Sequence, residues 1–292
     1  MKKTRWIADD RQTMSNERFE IFYNYTDIPF QAPFHSHDFY EIVLFKKGHA
    51  RFSVEGITYT LKSGDLLVSS PQELHRVEIL DAKVDYERYI LWIHPRFLND
   101  LMRLQNQFDF FRCFDATKKQ HYHVIHPGTR LLQEMERIGS HLLSSDPLWQ
   151  TKIMQDCLMC ELLVLVNTAY ENTSLVENED YVLHPKLNDV VFYIHHHLSD
   201  DLTLDTLAKH FFISKYHLSH LFREYMPMSL HQYILEKRLN VARSLLEKGV
   251  KPNDAAMEVG FVNYTHFSNA FKTQFGFSPK KWIDLYKKEK KP

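Results

Sequence analysis

Two stretches of this sequence repeat one helical pattern: residues 201–225, DLTLDTLAKHFFISKYHLSHLFREY, and residues 251–275, KPNDAAMEVGFVNYTHFSNAFKTQF. In each stretch a short helix is followed by a turn and then by a longer helix that begins after a polar capping residue. Ser214 occupies this position in the first stretch and Asn263 in the second, while Thr203 caps the short helix before Ser214. Each stretch is therefore predicted to form a helix-turn-helix unit.

The second helix of each unit is predicted to bury one side. Leu218, Leu221 and Phe222 recur at helical spacing in the first unit, and Phe267 and Phe271 do so in the second. The opposite sides are polar. The residues predicted to face outward there include Lys215, Tyr216, Ser219, His220 and Arg223 in the first unit and Tyr264, Thr265, Ser268, Asn269 and Lys272 in the second.

Residues 230–247 are predicted to form one continuous helix between the two units. At about 1.5 Å per residue, such a helix is about 27 Å long. Two outward-facing helices at its ends suit adjacent major-groove segments of DNA, which lie about 34 Å apart. A single chain can then read two successive groove segments.

Several spaced motifs in this region carry a family resemblance. They are Ala208, Ile213-Ser214, Leu218, Phe222, Arg238-Leu239, Ala242, Leu245-Leu246, Val259-Gly260-Phe261, Phe267, Phe271-Lys272, Phe275-Gly276 and Ser278-Pro279. Together they resemble the AraC/XylS family of bacterial transcription regulators. The chain departs from the family at Phe211-Phe212, where a glycine is usual before the first recognition helix.

The resemblance implies that double-stranded DNA is the partner, and it assigns roles to the outward residues. Those implied to reach base edges are Tyr216, Ser219 and His220 in the first helix and Tyr264, Thr265, Ser268 and Asn269 in the second. Lys215, Arg223 and Lys272 are implied to lie nearer phosphates. These side chains suit the roles, because Asn can bond adenine in a bidentate manner and cations follow phosphate.

Composition and charge agree with a soluble, two-domain chain. The 292 residues are 44% hydrophobic and 25% charged, and from Lys186 onward 16 Lys and Arg face 11 Asp and Glu. No apolar run approaches about 18 residues, and polar sequence follows Met1, so a cytoplasmic protein without a membrane span is predicted. The sparse cysteines predict reduced thiols, with Cys157 and Cys160 packed in a helical core.

The region from about residue 19 to residue 93 is predicted to form an antiparallel sandwich or barrel. Its short runs of aromatic and β-branched residues are Phe39–Phe45, Ala50–Val54, Ile57–Leu61, Leu66–Val68, His75–Leu80 and Tyr86–Ile93. Glycine turns separate several of them, and Glu55-Gly56 fits the tip of a tight hairpin. The fold class is therefore α+β, with a β-barrel before an all-α domain.

Polar residues in this region are similar to two motifs of the cupin barrel. His35-Ser36-His37, Glu41 and Gly48 match the first motif, and Gly64-Asp65, Pro71 and His75 match the second. The resemblance implies a cupin-like sensor domain. Alternation along the strand places Val43 and Phe45 inside if Glu41 faces the interior.

Three hypotheses for this cluster stay open. His35, His37, Glu41 and His75 can chelate a divalent ion, because imidazole and carboxylate suit zinc, iron, nickel or manganese. They can instead line a metal-free pocket for a small polar effector, or serve only the structure. Trp92 can stack on an effector ring or belong to the core. The family resemblance favours a carbohydrate effector.

The remaining segments are predicted to be helical or linking. Arg96–Gln107, Gly128–Leu143 and Leu148–Tyr170 show helical apolar spacing, and the last, which is apolar over much of its surface, needs to be covered. The resemblance implies that these helices form a homodimer interface. The predicted domains are residues 1–125 (effector-binding barrel), 126–171 (helical dimerisation arm), 172–185 (linker) and 186–292 (double helix-turn-helix domain).

These patterns favour a ligand-responsive, sequence-specific transcription regulator, with activation the more usual outcome in the family. An effector that prefers one arrangement of the domains shifts DNA occupancy. Two alternatives are a cupin metalloenzyme, such as a dioxygenase or isomerase, with a passenger helical domain, and an effector-independent DNA binder. An enzyme is not expected, because a catalytic cupin does not need two helix-turn-helix units.

Overall fold

A computed structural model describes residues 4–5, 13–26, 30–81, 84–104, 108–115, 123–173, 181–182, 184–226 and 228–289. The chain divides into an N-terminal unit, Met1–Leu183, and a C-terminal unit, His184–Pro292. The N-terminal unit combines strands with helices, and the regular structure described in the C-terminal unit is helical. The fold is therefore α+β, as predicted.

The N-terminal unit contains two sheets. Its strands are β1 (Thr4–Arg5), β2 (Phe19–Thr26), β3 (Phe30–Gln31), β4 (Tyr40–Lys47), β5 (Ala50–Val54), β6 (Ile57–Thr60), β7 (Leu66–Ser69), β8 (His75–Ile79), β9 (Tyr86–Ile93), β10 (Val124–Ile125) and β11 (Tyr181–Val182). The strand orders are β1-β2-β9-β4-β7-β10 and β11-β6-β5-β8-β3. Each described pairing is antiparallel except that of β1 with β2.

Three features of these sheets differ from the sequence-based prediction. The described strands form an open sandwich of two sheets, not a closed barrel. Strand β2 was not among the predicted runs, although it pairs with β9 along its whole length. Strand β11 lies in the predicted linker and pairs with β6. A two-residue strand is too short to show the alternation on which a prediction rests.

The two faces of β4 pack against different partners. Val43 and Phe45 join a buried cluster with residues of the second sheet such as Phe52, so they lie between the sheets. Ile42 and Leu44 belong to a cluster that includes residues of the helices. The strand is thus covered on both sides. The predicted hairpin tip at Glu55-Gly56 is present, with Val54 paired to Ile57 and both tip residues at positive φ.

Helices of the N-terminal unit cover the outer face of the first sheet. They are α1 (Pro95–Leu104), a 3-10 turn (Arg112–Phe114), α2 (Gly128–Leu142), α3 (Pro147–Gln150) and α4 (Lys152–Asn172). The helical apolar spacing predicted for residues 128–143 is present on α2, whose Met135 and Ile138 are buried against this sheet. By length and composition alone α4 could cross a membrane. Its buried residues, such as Leu163 and Val166, nevertheless lie in the same core as the sheet.

Two expectations for α4 were wrong. The predicted helix Leu148–Tyr170 is broken at Thr151, whose extended backbone separates α3 from α4. Cys157, predicted to pack in a helical core, is exposed, and Ile153 on the same side is 72% exposed, so the described residues leave this side of α4 open. Because α4 is apolar on most of its sides, its sequence did not show which side faces solvent.

The C-terminal unit contains seven helices in its described part. They are α5 (Pro185–His196), α6 (Leu204–His210), α7 (Lys215–Tyr225), α8 (Leu230–Glu247), α9 (Pro252–Glu258), α10 (Tyr264–Phe275) and α11 (Pro279–Glu289). The predicted long helix coincides with α8, which begins at a capping box between Ser229 and Gln232. Phe267 and Phe271 are buried in one cluster with residues of α8 and α9.

Candidate nucleic-acid interface and effector site

Helix α7 exposes its polar side as the sequence predicts. Ser214 caps it, because its Oγ accepts a hydrogen bond of 3.1 Å from the backbone N–H of His217. Leu218 and Phe222 are fully buried. Tyr216 is 81% exposed. The predicted outward residues Lys215, His220 and Arg223 are also exposed, and Ser219 is half-buried.

Helix α10 is constructed in the same way. Asn263 Oδ1 accepts a hydrogen bond of 3.1 Å from the backbone N–H of His266. Phe267 and Phe271 anchor the buried side. The outward residues Tyr264, Thr265, Asn269 and Lys272 are exposed, and Ser268 is half-buried. Both units therefore present a capped helix with a polar outer side.

The turns before these helices share one backbone. In each, the N–H of a residue at positive φ bonds the carbonyl three residues back, and the next N–H bonds the carbonyl five residues back. This residue is Phe212 (φ 53°) in the first turn and Gly260 (φ 87°) in the second. Phe212 is 93% exposed, so its side chain has space. The first turn thus keeps the left-handed conformation without the glycine that is usual in the family.

Charged neighbours surround the outward faces. Lys215 forms an ion pair with Asp205 of α6, and His220 Nδ1 lies 3.8 Å from Glu224 Oε2. Both pairs are exposed, so each contributes little to stability and can open toward a phosphate. A cavity of about 830 Å³ lies beside α10, lined in part by Thr265 and Asn269.

A second polar cluster lies in the N-terminal unit, in a sandwich interior that is otherwise largely apolar. Glu41 Oε2 is 3.9 Å from His37 Nε2 and 3.5 Å from His75 Nε2. Trp92 Nε1 donates a hydrogen bond of 2.7 Å to Glu41 Oε1. His35 contacts the cluster through its ring, whose centroid is 4.5 Å from that of His75. The structure thus brings together all five residues of the predicted effector site.

Burial and the interactions between these charged groups shift the pKa values of several residues in this cluster. Burial alone raises the pKa of Glu41, but interaction with His37 and His75 outweighs it and holds that pKa well below the usual value. Burial lowers the pKa of His75, but Glu41 outweighs it and raises that pKa overall. Burial and the nearby His75 lower the pKa of His35 to about 4. Glu41 is therefore ionised and His35 neutral at pH 7.

Some contacts of this site were not predicted from the sequence. The ring of Phe39 stacks on that of His37 at 3.9 Å, and the ring of Trp92 packs against Phe39 at 4.6 Å. Trp92 therefore orients Glu41 and also fills space. Alternation along β9 was the available signal, because Trp92 lies directly opposite Glu41 in the register of β9 with β4.

Comparison with known proteins gives a separate family match for the N-terminal unit and for the C-terminal unit. Residues 20–151 match the family model of the AraC-like ligand binding domain, and residues 207–284 match that of a helix-turn-helix domain. The chain is 27% identical over 249 residues to the HTH-type transcriptional regulator YbfI of Bacillus subtilis (strain 168), covering 84% of each chain. It is 26% identical over 259 residues to the HTH-type transcriptional activator RhaS of Enterobacter sp. (strain 638), covering 85% of this chain and 86% of that one.

Among solved structures, apo ToxT from Vibrio cholerae strain SCE256 matches 93% of this chain and 98% of its own, with 15% identity and a TM-score of 0.42. A ligand-binding domain followed by a helix-turn-helix domain defines a class of DNA-binding transcription regulators that respond to a ligand. The chain belongs to the AraC family of these regulators, with a cupin-like sensor domain at its N-terminal side. These relatives are named transcriptional regulators. This chain is likewise a regulator and not an enzyme.

Proposed function

We propose that this regulator reads two successive major-groove segments of double-stranded DNA with α7 and α10. The observation that carries the proposal is the shared construction of the two helices, each capped, buried on its apolar side and exposed on its polar side. Helix α8 joins the two units with 18 residues, about 27 Å of helix. This length suits recognition helices placed about 34 Å apart along DNA.

Within this proposal the outward residues divide by chemistry. The residues proposed to contact base edges are Tyr216, Ser219 and His220 on α7 and Tyr264, Thr265, Ser268 and Asn269 on α10. Lys215, Arg223 and Lys272 are proposed to contact phosphates, since cations fix the position of a protein on DNA without reading its sequence.

Exchanging Asn269 for alanine tests the base-reading role. Asn269→Ala is expected to reduce discrimination between an operator selected from random DNA and a version with one altered base pair. The loss is about 1–3 kcal/mol, or about 5- to 150-fold, because a bidentate contact to adenine disappears. Lys272→Ala is expected instead to weaken specific and random DNA alike and to reduce the salt slope by about one. Binding titrations at several salt concentrations measure both effects.

Lys280→Ala is the matched control, because it removes an exposed positive charge from α11 and not from a proposed reading helix. It is expected to leave the affinity for the operator nearly unchanged. Equal losses of affinity on operator and random DNA for Asn269→Ala would contradict its assignment as a base reader.

We further infer that the polar cluster of the N-terminal unit binds a small polar metabolite, a carbohydrate or related molecule. His35, His37, Glu41, His75 and Trp92 supply hydrogen-bonding groups beside apolar residues of the interior, the combination typical of ligand pockets. DNA affinity measured with and without candidate sugars tests this. Affinity that responds to no small molecule would favour the effector-independent alternative.

Activation is the proposed direction of control, and the cytoplasm the proposed location. One relative is named a transcriptional activator. The effector must bind one arrangement of the chain more tightly than another, because equal affinity for both would shift nothing.

A homodimer is proposed through the outer side of α4, where Ile153 is 72% exposed and Cys157 and Val164 are also accessible. Sedimentation at micromolar concentration is expected to show dimers. Ile153→Glu is expected to shift them toward monomers by placing a charge in an apolar contact. Lys152→Glu, a charge change one residue away, is the control. Wild-type protein that sediments only as monomers would refute this assembly.

A further inference from the structure

A buried arginine lies in the interior of the N-terminal unit. Arg88 is 3% exposed, although arginine is among the residues that are least often fully buried. It lies on β9 directly opposite Asn24 of β2 and Phe45 of β4, and residues opposite each other share a face of the sheet. Because Phe45 packs between the two sheets, Arg88 faces the same interior. Burying a charge is unfavourable, so apolar packing does not explain this residue.

The contacts of Arg88 include neutral oxygen atoms. Its Nη1 donates a hydrogen bond of 2.9 Å to Thr26 Oγ1 and one of 3.2 Å to the backbone carbonyl of Tyr86. The guanidinium carbon also lies 4.4 Å from the centroid of the Tyr86 ring. A carboxylate would bond this guanidinium more strongly than neutral oxygens do, because both partners are then charged and two parallel N–H···O bonds can form.

The interior that contains Arg88 also contains the effector cluster. Alternation places Arg88, Ile90 and Trp92 on one face of β9. Trp92, which donates a hydrogen bond to Glu41, is four residues from Arg88, or about 14 Å along the strand. Burial lowers the pKa of Arg88, but Tyr86 and Glu41 oppose this shift, so Glu41 acts on the guanidinium electrostatically. The interior therefore has polar groups at two positions, with the apolar Ile90 between them.

We propose that the effector is a sugar acid whose carboxylate binds Arg88 and whose hydroxyl groups extend toward Glu41 and Trp92. The planar guanidinium matches a carboxylate in geometry. A carboxylate also carries one charge, as Arg88 does, whereas a phosphate would bring up to two negative charges into the interior at a larger desolvation penalty. This assignment rests on the proposed effector site and deepens it by naming the acidic class of the ligand.

The test on wild-type protein compares ligands that differ in one group. Hexoses are titrated into the full chain beside their own uronic acids, aldonic acids and 6-phosphates, for example D-glucose with D-glucuronate, D-gluconate and D-glucose 6-phosphate. Calorimetry is expected to show one acid bound per chain, at least about tenfold more tightly than the neutral hexose or the phosphate. The methyl ester of this acid keeps the skeleton without the charge and is expected to lose the same factor.

Substitution of Arg88 tests the residue itself. Arg88→Gln keeps hydrogen-bond donors without the charge, and is expected to weaken the acid about 10- to 100-fold and the neutral hexose by less than about threefold. Arg88→Lys keeps the charge without the planar fork and is expected to fall between Arg88→Gln and the wild type. Arg51→Gln is the matched control, because this arginine is exposed on β5 and is expected to bind the acid as the wild type does.

Circular dichroism checks the folding of each variant, and if the Arg88 variants do not fold, the comparison of acid with ester on wild-type protein decides. The proposal is overturned if no acid binds at millimolar concentration, if the acid binds no better than its ester, hexose or phosphate, or if folded Arg88→Gln binds it as Arg51→Gln does. DNA affinity is measured on the same samples. A neutral hexose that binds best and changes operator affinity would refute the acidic class and leave the proposed function standing.

Discussion

Gly260→Ala is expected to destabilise the C-terminal unit by about 2–5 kcal/mol and to abolish most operator binding. The left-handed backbone at φ 87° disfavours any side chain by about 1–2 kcal/mol. A Cβ here would also lie 2.7 Å from the carbonyl oxygen of Leu198 and 2.9 Å from that of Ser199. Backbone atoms cannot move aside cheaply, which adds about 1–3 kcal/mol. Urea unfolding followed by circular dichroism, with DNA titration, measures both losses.

Substitutions at two other turn positions distinguish the effect of the left-handed backbone from that of the close contact with backbone oxygens. Gly249 has a φ of 92°, but a Cβ at this position would meet no neighbouring atom within 4 Å, so Gly249→Ala is expected to lose only about 1–2 kcal/mol. Phe212→Gly relieves backbone strain in the equivalent turn but frees the unfolded chain, so a change within about 1 kcal/mol is expected. If Gly249→Ala and Gly260→Ala were equally destabilising, the close approach to Leu198 and Ser199 would not be the cause.

Asn167→Ala is expected to destabilise the N-terminal unit by about 2–4 kcal/mol. Asn167 is fully buried in α4 and ties a separate segment to this helix. Its Oδ1 accepts from the backbone N–H of Cys113 at 2.8 Å, and its Nδ2 donates to the carbonyls of Phe110 and Leu163. Removing the amide takes this partner from two backbone groups outside α4, the N–H of Cys113 and the carbonyl of Phe110. Each such loss at a buried group is unfavourable by about 1–3 kcal/mol. Urea unfolding is expected to show this loss of stability as a lower denaturant midpoint.

Thr168→Ala provides the comparison on the same turn of α4. Thr168 Oγ1 bonds the Val164 carbonyl of its own helix, so its loss is expected to change stability by about 0.5 kcal/mol or less. Asn167→Asp keeps the acceptor for Cys113 and is expected to fall below wild type because it loses both donated bonds. A midpoint for Asn167→Ala equal to that of Thr168→Ala would show that the segment is held by other contacts.

Local features of the chain were predictable because their causes are close in sequence. Caps at Thr203, Ser214 and Asn263 are present as expected, since each acts on a backbone N–H three residues ahead. The Glu55-Gly56 hairpin is equally local, because its two tip residues connect β5 directly to β6. The position of β11 was not predictable, since its pairing with β6 joins residues more than 100 positions apart.

The sequence by itself determined the helix-turn-helix units and the polar faces of α7 and α10, because periodicity and capping depend on neighbouring residues. The residues of the polar cluster in the N-terminal unit were predicted from their resemblance to the cupin motifs. Only the tertiary structure decided that His37, Glu41 and His75 converge while His35 stays beside them, and that Asn167 anchors a distant segment. Register and packing between sheets and helices set these distances, and such long-range contacts have no periodic signal in the chain.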